Sequence, residues 1–233
     1  MKCLVFEIKS DYGHFRKFYT TSSPLTFSIP PRTTVAGMIS AIIGLDKEEY
    51  LKYFSKNDAK IAIQITSPVN KIRLSYNLIN TKTANMCSQI KDRTQVTFEL
   101  LKNPSFKIYF SHNNNEIYNK LKSFLEQKKT YYTLSMGLSE YIAEFEFIKE
   151  IEVSKTSNLS EFIDIDTAIN FNEEVEVEFE DNKEYFKDTI PNEMNINREV
   201  TEYTKILFER NGLPIKCKCD YYLGSGDEKI VFL

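Results

Sequence analysis

Arg16 and Lys17, with Arg32 farther along, are the first residues whose types suggest chemistry. Cations of this kind pair with phosphate oxygens. The hydroxyls of Thr20, Thr21, Ser22, Ser23 and Thr33 surround them and can bond to phosphate or to a ribose 2′-OH. Phe15, Phe18 and Tyr19 carry π faces of the sort on which unpaired bases stack. A helix expected after Arg32 would add an anion site at its N-terminus. Together these groups suit gripping a single-stranded nucleic acid. Arg32 ranks ahead of the aromatics, because Phe15 and Phe18, three residues apart, read as core. Pro30 and Pro31 set the approach to the helix. A second group of cations lies in residues 67–104, where Lys71, Arg73, Lys82, Lys91, Arg93 and Lys102 face only Asp92 and Glu99, net +4.

The whole chain of 233 residues has a net charge of −3, which averages two unlike parts. Residues 1–133 carry 20 Lys and Arg against 10 Asp and Glu, net +10; residues 134–233 carry 10 against 23, net −13. Such asymmetry suggests that one part meets a polyanion. The acidic part is expected to face protein partners or solvent, away from phosphates.

Other chemistries find little footing. Acid–base cleavage of RNA needs a poised imidazole or its equivalent, and His14 and His112 are the two histidines. His14, beside Phe15 and Arg16, is the better placed, with Tyr12 and Lys17 as possible helpers. His112 reads as a surface-loop residue. The spacing of Cys217-Lys-Cys219 is too tight for a zinc knuckle. With Cys3 and Cys87, these cysteines read as reduced and structural in a cytoplasmic protein. Acidic residues 173–181 read as a solvated strand edge rather than a cation site. No cofactor or metal is implied. No apolar run approaches the roughly 18 residues of a membrane span, and the first ten residues are too charged for a signal peptide.

The elements that must position these groups follow from periodicity. Lys2–Lys9 reads as a central strand buried on both faces. A helix starts near Thr33 or Thr34, carries Val35, Met38, Ile39, Ile42 and Ile43 at helical spacing, and stops at Gly44. Its other face, Gly37, Ser40 and Ala41, is made of small residues. Asp46 and Glu49 resemble a variant capping box for a short helix. Strands follow at Lys60–Thr66 and Ser105–Ser111. A second helix spans about Asn115–Lys128, capped by Asn113 or Asn114. Met136-Gly137 breaks the chain before a long strand, Tyr141–Val153.

The order strand, helix, strand, strand, helix, strand predicts an α+β chain with a ferredoxin-like βαββαβ domain over residues 1–154. The stretch 67–104 replaces the tight hairpin expected between the middle strands. Ile72, Leu74, Tyr76 and Leu78 alternate in it, so part of it reads as a projecting β-hairpin. Residues 155–233 read as a smaller β-rich C-terminal lobe, with strands at Glu174–Glu180, Glu199–Arg210 and Lys229–Leu233.

Residues 15–45 (FRKFYTTSSPLTFSIPPRTTVAGMISAIIGL) resemble the N-terminal signature of the Cas-five family of CRISPR-associated proteins, in the RAMP superfamily. The matching parts, in order, are Phe15–Tyr19, the hydroxyl run ending at Pro24, Pro30–Thr33, and the small-residue helix to Gly44. Gln95–Leu101 and Leu134–Tyr141 match more weakly. The resemblance covers residues 1–150; beyond 155 it rests on general character. It implies a RAMP (RRM-like) ferredoxin-like domain with a thumb, here residues 67–104. It also implies a subunit of a type I-B-like surveillance complex (Cascade) that grips the 5′ handle of CRISPR RNA without catalysis. Backbone and large subunits would dock around it, and target DNA would be met indirectly. With the chemistry of the loop and of the basic stretch, the expected RNA-binding residues are Arg16, Lys17, Tyr19, Arg32, Thr33, Lys71, Arg73, Lys82, Lys91 and Arg93. The alternative is the activity of subtype I-C relatives, metal-independent endoribonucleases that process precursor RNA.

Overall fold

The structure is a computed structural model that describes residues 1–79, 83, 86, 90, 93–157 and 160–233. Along the chain run β1 (Lys2–Lys9), β2 (Tyr12–Gly13), α1 (Arg32–Ile43), β3 (Ala59–Ile65), β4 (Lys71–Ile79) and β5 (Arg93–Lys102). Then come β6 (Ser105–His112), α2 (Asn115–Glu126), β7 (Glu144–Thr156), β8 (Ile163–Ile165), β9 (Ile169–Asn170) and β10 (Glu176–Val177). The last are β11 (Tyr185–Met194), β12 (Val200–Glu209), β13 (Ile215–Lys218), β14 (Tyr221–Gly224) and β15 (Lys229–Ile230). This is a mixed α+β fold made mostly of strands.

The main sheet has the order β15-β14-β7-β1-β6-β3, with every neighbouring pair antiparallel. β1 is central and buried on both faces, as its unbroken apolar run predicts. Leu4, Phe6 and Ile8 pack in one core with the α1 residues Val35, Ile39 and Ile42 and the α2 residues Leu121 and Leu125. Cys3 and Val5 face the other way, into a cluster with Tyr109, Ile151 and Ile230.

α1 begins at Arg32, just ahead of the expected Thr33 or Thr34. Its N-cap is Pro31, and no side chain caps it. The Pro31 carbonyl instead accepts from the N–H groups of Thr34 and Val35 at 2.9 and 3.0 Å. Gly44 ends the helix in the left-handed region, at φ 73°. α2 is capped by Asn114, whose side chain accepts from the Glu116 N–H at 2.8 Å. The short helix after Asp46 is one 3₁₀ turn, Tyr50–Lys52, without a side-chain cap.

The stretch between β3 and β6 forms a hairpin. β4 and β5 pair in register from Lys71 opposite Leu101 to Ile79 opposite Arg93, and β2 adds a third strand beside β5. Alternation gives it two faces. One carries Lys71, Arg73, Ser75 and Asn77 opposite Leu101, Glu99, Thr97 and Gln95. The other carries Ile72, Leu74 and Tyr76 opposite Leu100, Phe98 and Val96.

The C-terminal third closes both edges of the main sheet. β14 and β15 extend it beyond β7. On the far edge, β3 is met by two backbone bonds, Ala168 N–H to Ile63 O at 2.9 Å and Leu233 N–H to Ile61 O at 3.0 Å. Paired edges do not recruit foreign strands. Ala168, Ile190, Ile206, Phe208 and Leu233 join the main core. A second core holds Ile165, Leu207, Ile215, Cys217 and Cys219. The two thiols lie 3.6 Å apart, well beyond the roughly 2.05 Å of an S–S bond, and are free; Cys87 lies outside the described residues. The strand expected over Glu174–Glu180 is reduced to β10, and the long strand begins at Glu144 rather than Tyr141. Residues 134–142 instead form their own turn, closed by the Ser135–Ile142 bridge.

Candidate nucleic-acid interface

The loop between β2 and α1 is pinned before it is displayed. The His14 N–H donates to the Met136 carbonyl at 2.9 Å. At Gly137, φ is 97° and any Cβ would lie 1.9 Å from the His14 carbonyl oxygen. Only glycine allows this approach. Phe15 then turns inward, with its N–H on Thr26 Oγ1 at 2.9 Å and its carbonyl accepting from Phe27 N–H at 2.8 Å. Lys17 N–H donates to Leu25 O at 2.8 Å, which closes the excursion. At its tip Phe18 and Tyr19 are each 59% exposed, ring against ring at 5.1 Å, and Phe18 also meets Tyr203 at 5.1 Å. The spacing argument therefore holds for Phe15, which is buried, and fails for Phe18, which sits on a turn rather than a periodic element.

Lys17 and Lys71 line one cleft of about 340 Å³, together with Lys187, Asp188, Arg210 and the ring of Phe186. Lys17 Nζ meets Asp188 at 2.7 Å. Burial opposes the Lys17 charge, but the hydrogen bond and charge of Asp188 outweigh it and raise its pKa. Lys71 Nζ donates to Thr26 O at 2.9 Å and pairs with Glu99 at 3.2 Å. Arg210 reaches Glu184 at 2.8 Å and its Nε donates to Val69 O at 3.0 Å. Phe186, half exposed, stacks on buried Phe208 with centroids 6.0 Å apart. The cleft offers cations and a π face side by side. Half of it comes from the acidic part of the sequence, expected to lie away from phosphates.

The other expected residues separate. Arg16 is exposed, and its Nη2 donates to Thr20 O at 3.0 Å. Arg73 and Arg93 are exposed on the charged face of the hairpin, with no ion pair among the described residues. Lys82 and Lys91 lie outside the described residues. Thr33 borders a different cleft of about 370 Å³, which Arg198 also lines. Arg32 requires a correction. It is 1% exposed, and its guanidinium donates to four carbonyls: Asn192 O at 3.1 Å, Phe54 O at 3.1 Å, Ser55 O at 3.0 Å and Ala59 O at 2.6 Å. It ties α1 to β3 and β11 and has no donor facing solvent for a phosphate.

Both histidines are buried, which corrects the surface reading of His112. His14 Nδ1 bonds Glu99 O at 2.8 Å and its ring sits edge-on to Phe98. His112 Nε2 bonds Tyr53 O at 2.8 Å, while its Nδ1 accepts from Asn114 N–H at 2.8 Å. Burial lowers the pKa of each. Among the described residues no group of three His, Cys, Asp or Glu could hold a metal, and no helix is long and apolar enough to cross a membrane.

The family model of the CRISPR-associated protein (Cas_Cas5) matches residues 3–209. The chain belongs to the CRISPR-associated Cas5 family. The match runs well past residue 150 and takes in β11 and β12, which supply Lys187 and Asp188 and end just short of Arg210. Among solved structures, a CRISPR protein from Archaeoglobus fulgidus aligns at TM-score 0.62 and 15% identity, over 100% of this chain and 99% of that one. A chain of a CRISPR RNA-guided surveillance complex aligns at TM-score 0.53 and 8% identity, over 99% and 91%. The fold is thus similar to that of these two chains. No curated protein sequence matches the chain significantly.

Proposed function

We propose that this Cas5-family chain grips the 5′ handle of CRISPR RNA in a type I Cascade complex and does not cleave it. The main sheet is then the ferredoxin-like domain, since its strands β7-β1-β6-β3 are linked by α1 and α2 in βαββαβ order. The hairpin β4–β5 is the thumb. One observation carries the reading: the hairpin's exposed Arg73 and Arg93 have no carboxylate partner among the described residues, and its base, at Lys71, opens on the cleft of Lys17. Phosphates along the hairpin and a base against Phe186 or Tyr19 fit that arrangement. Backbone and large subunits would cover the remaining surface.

The processing alternative lacks such support, because His14 is buried with Nδ1 held by a carbonyl. Incubating the full chain with repeat RNA in EDTA tests both readings. Handle RNA is expected to bind more tightly than unrelated RNA and to stay intact. Cleavage at one phosphodiester, lost in His14→Ala, would replace this reading with the processing one.

A further inference from the structure

A groove of about 1290 Å³ runs between the end of β7, the segment after β9, and the β11–β12 pair. Five lysines line it, against Glu173, Glu202 and Asp220. Lys56 and Lys155 are paired, with Glu202 at 2.7 Å and Asp220 at 3.2 Å. Lys60, Lys187 and Lys205 have no carboxylate partner among the described residues. Lys187 Nζ stands 4.7 Å over the ring of Phe171, and Lys60 Nζ donates to the Tyr222 hydroxyl at 3.0 Å, 5.1 Å from the ring centroid. Asn192, 2% exposed, also borders the groove, and its Nδ2 donates to Glu202 at 3.3 Å.

We infer that this groove is a second site for single-stranded nucleic acid, separate from the cleft of Lys17 and Lys71 that Lys187 also borders. Cations interleaved with aromatic faces are what a single strand needs: phosphates on the lysines, bases on the rings. An acidic peptide would use the charges and leave the rings idle. The inference does not depend on the handle being held by the hairpin.

Ultraviolet cross-linking of the full chain to oligothymidylate, mapped by mass spectrometry, tests it. Thymine adducts are expected on Phe171 or Tyr222, with a yield that falls as salt rises. Lys60→Gln with Lys205→Gln is expected to cut that yield about tenfold, and Phe171→Leu to remove its adduct, while handle-RNA affinity stays at the wild-type value. Adducts confined to other surfaces, a yield unchanged in both variants, or equal displacement by poly-glutamate of matched charge would each overturn it.

Discussion

Arg32 shows how a residue type can be read correctly and its role missed. A guanidinium that can meet phosphates can equally satisfy several carbonyls, and here it satisfies four. Arg32→Met should therefore cost about 2–4 kcal/mol, since buried carbonyls lose their donors. A urea denaturation midpoint measures this; unchanged stability with lost RNA affinity would return Arg32 to the interface. The buried histidines add a pH dependence. Their folded pKa values lie below the ordinary 6.5, so the unfolded chain takes up protons first as pH falls. Stability is full above about pH 6.5 and declines below it, until the folded-state values are passed. The melting temperature should drop by a few degrees between pH 7.5 and 5.5, ahead of carboxylate titration. A flat profile over that range would show that the imidazoles are not held neutral.

At the scale of elements, the pinned loop depends on Gly137. Gly137→Ala forces a left-handed φ of 97° and a clash with the His14 carbonyl, and should destabilise by about 2 kcal/mol or more. Gly37→Ala on α1 has its nearest atom at 3.9 Å and should be neutral or stabilising, by up to about 1 kcal/mol. Thermal melts of the pair separate the two. The periodic elements were legible in the sequence because burial dictates their pattern: β1, α1, β3, β6 and α2 fall within a few residues of their expected limits. The hairpin was legible from the alternation of Ile72 to Leu78. What could not be read were contacts between distant segments with no local pattern. Lys17 with Asp188 and Arg32 with Asn192 are joined only by the fold. The β10 region failed for a related reason: alternating glutamates look the same in a long strand and in an extended edge.

For the whole molecule, the charge split takes a different form once folded. The acidic half is not set apart from the basic one; it closes both edges of the main sheet and contributes Lys187 and Arg210 to the cleft at Lys17 and Lys71. Linear net charge counts all its carboxylates, yet Glu176, Glu178, Glu180 and Glu184 are spent on lysines and an arginine of the same half. The central claim is that the charged face of the hairpin holds RNA phosphates, and the salt dependence of handle binding tests it most directly. Arg73→Ala with Arg93→Ala should weaken binding and make the slope of log K against log salt shallower by about 2, one per lost phosphate contact. A slope and affinity equal to those of the wild-type chain would contradict the claim.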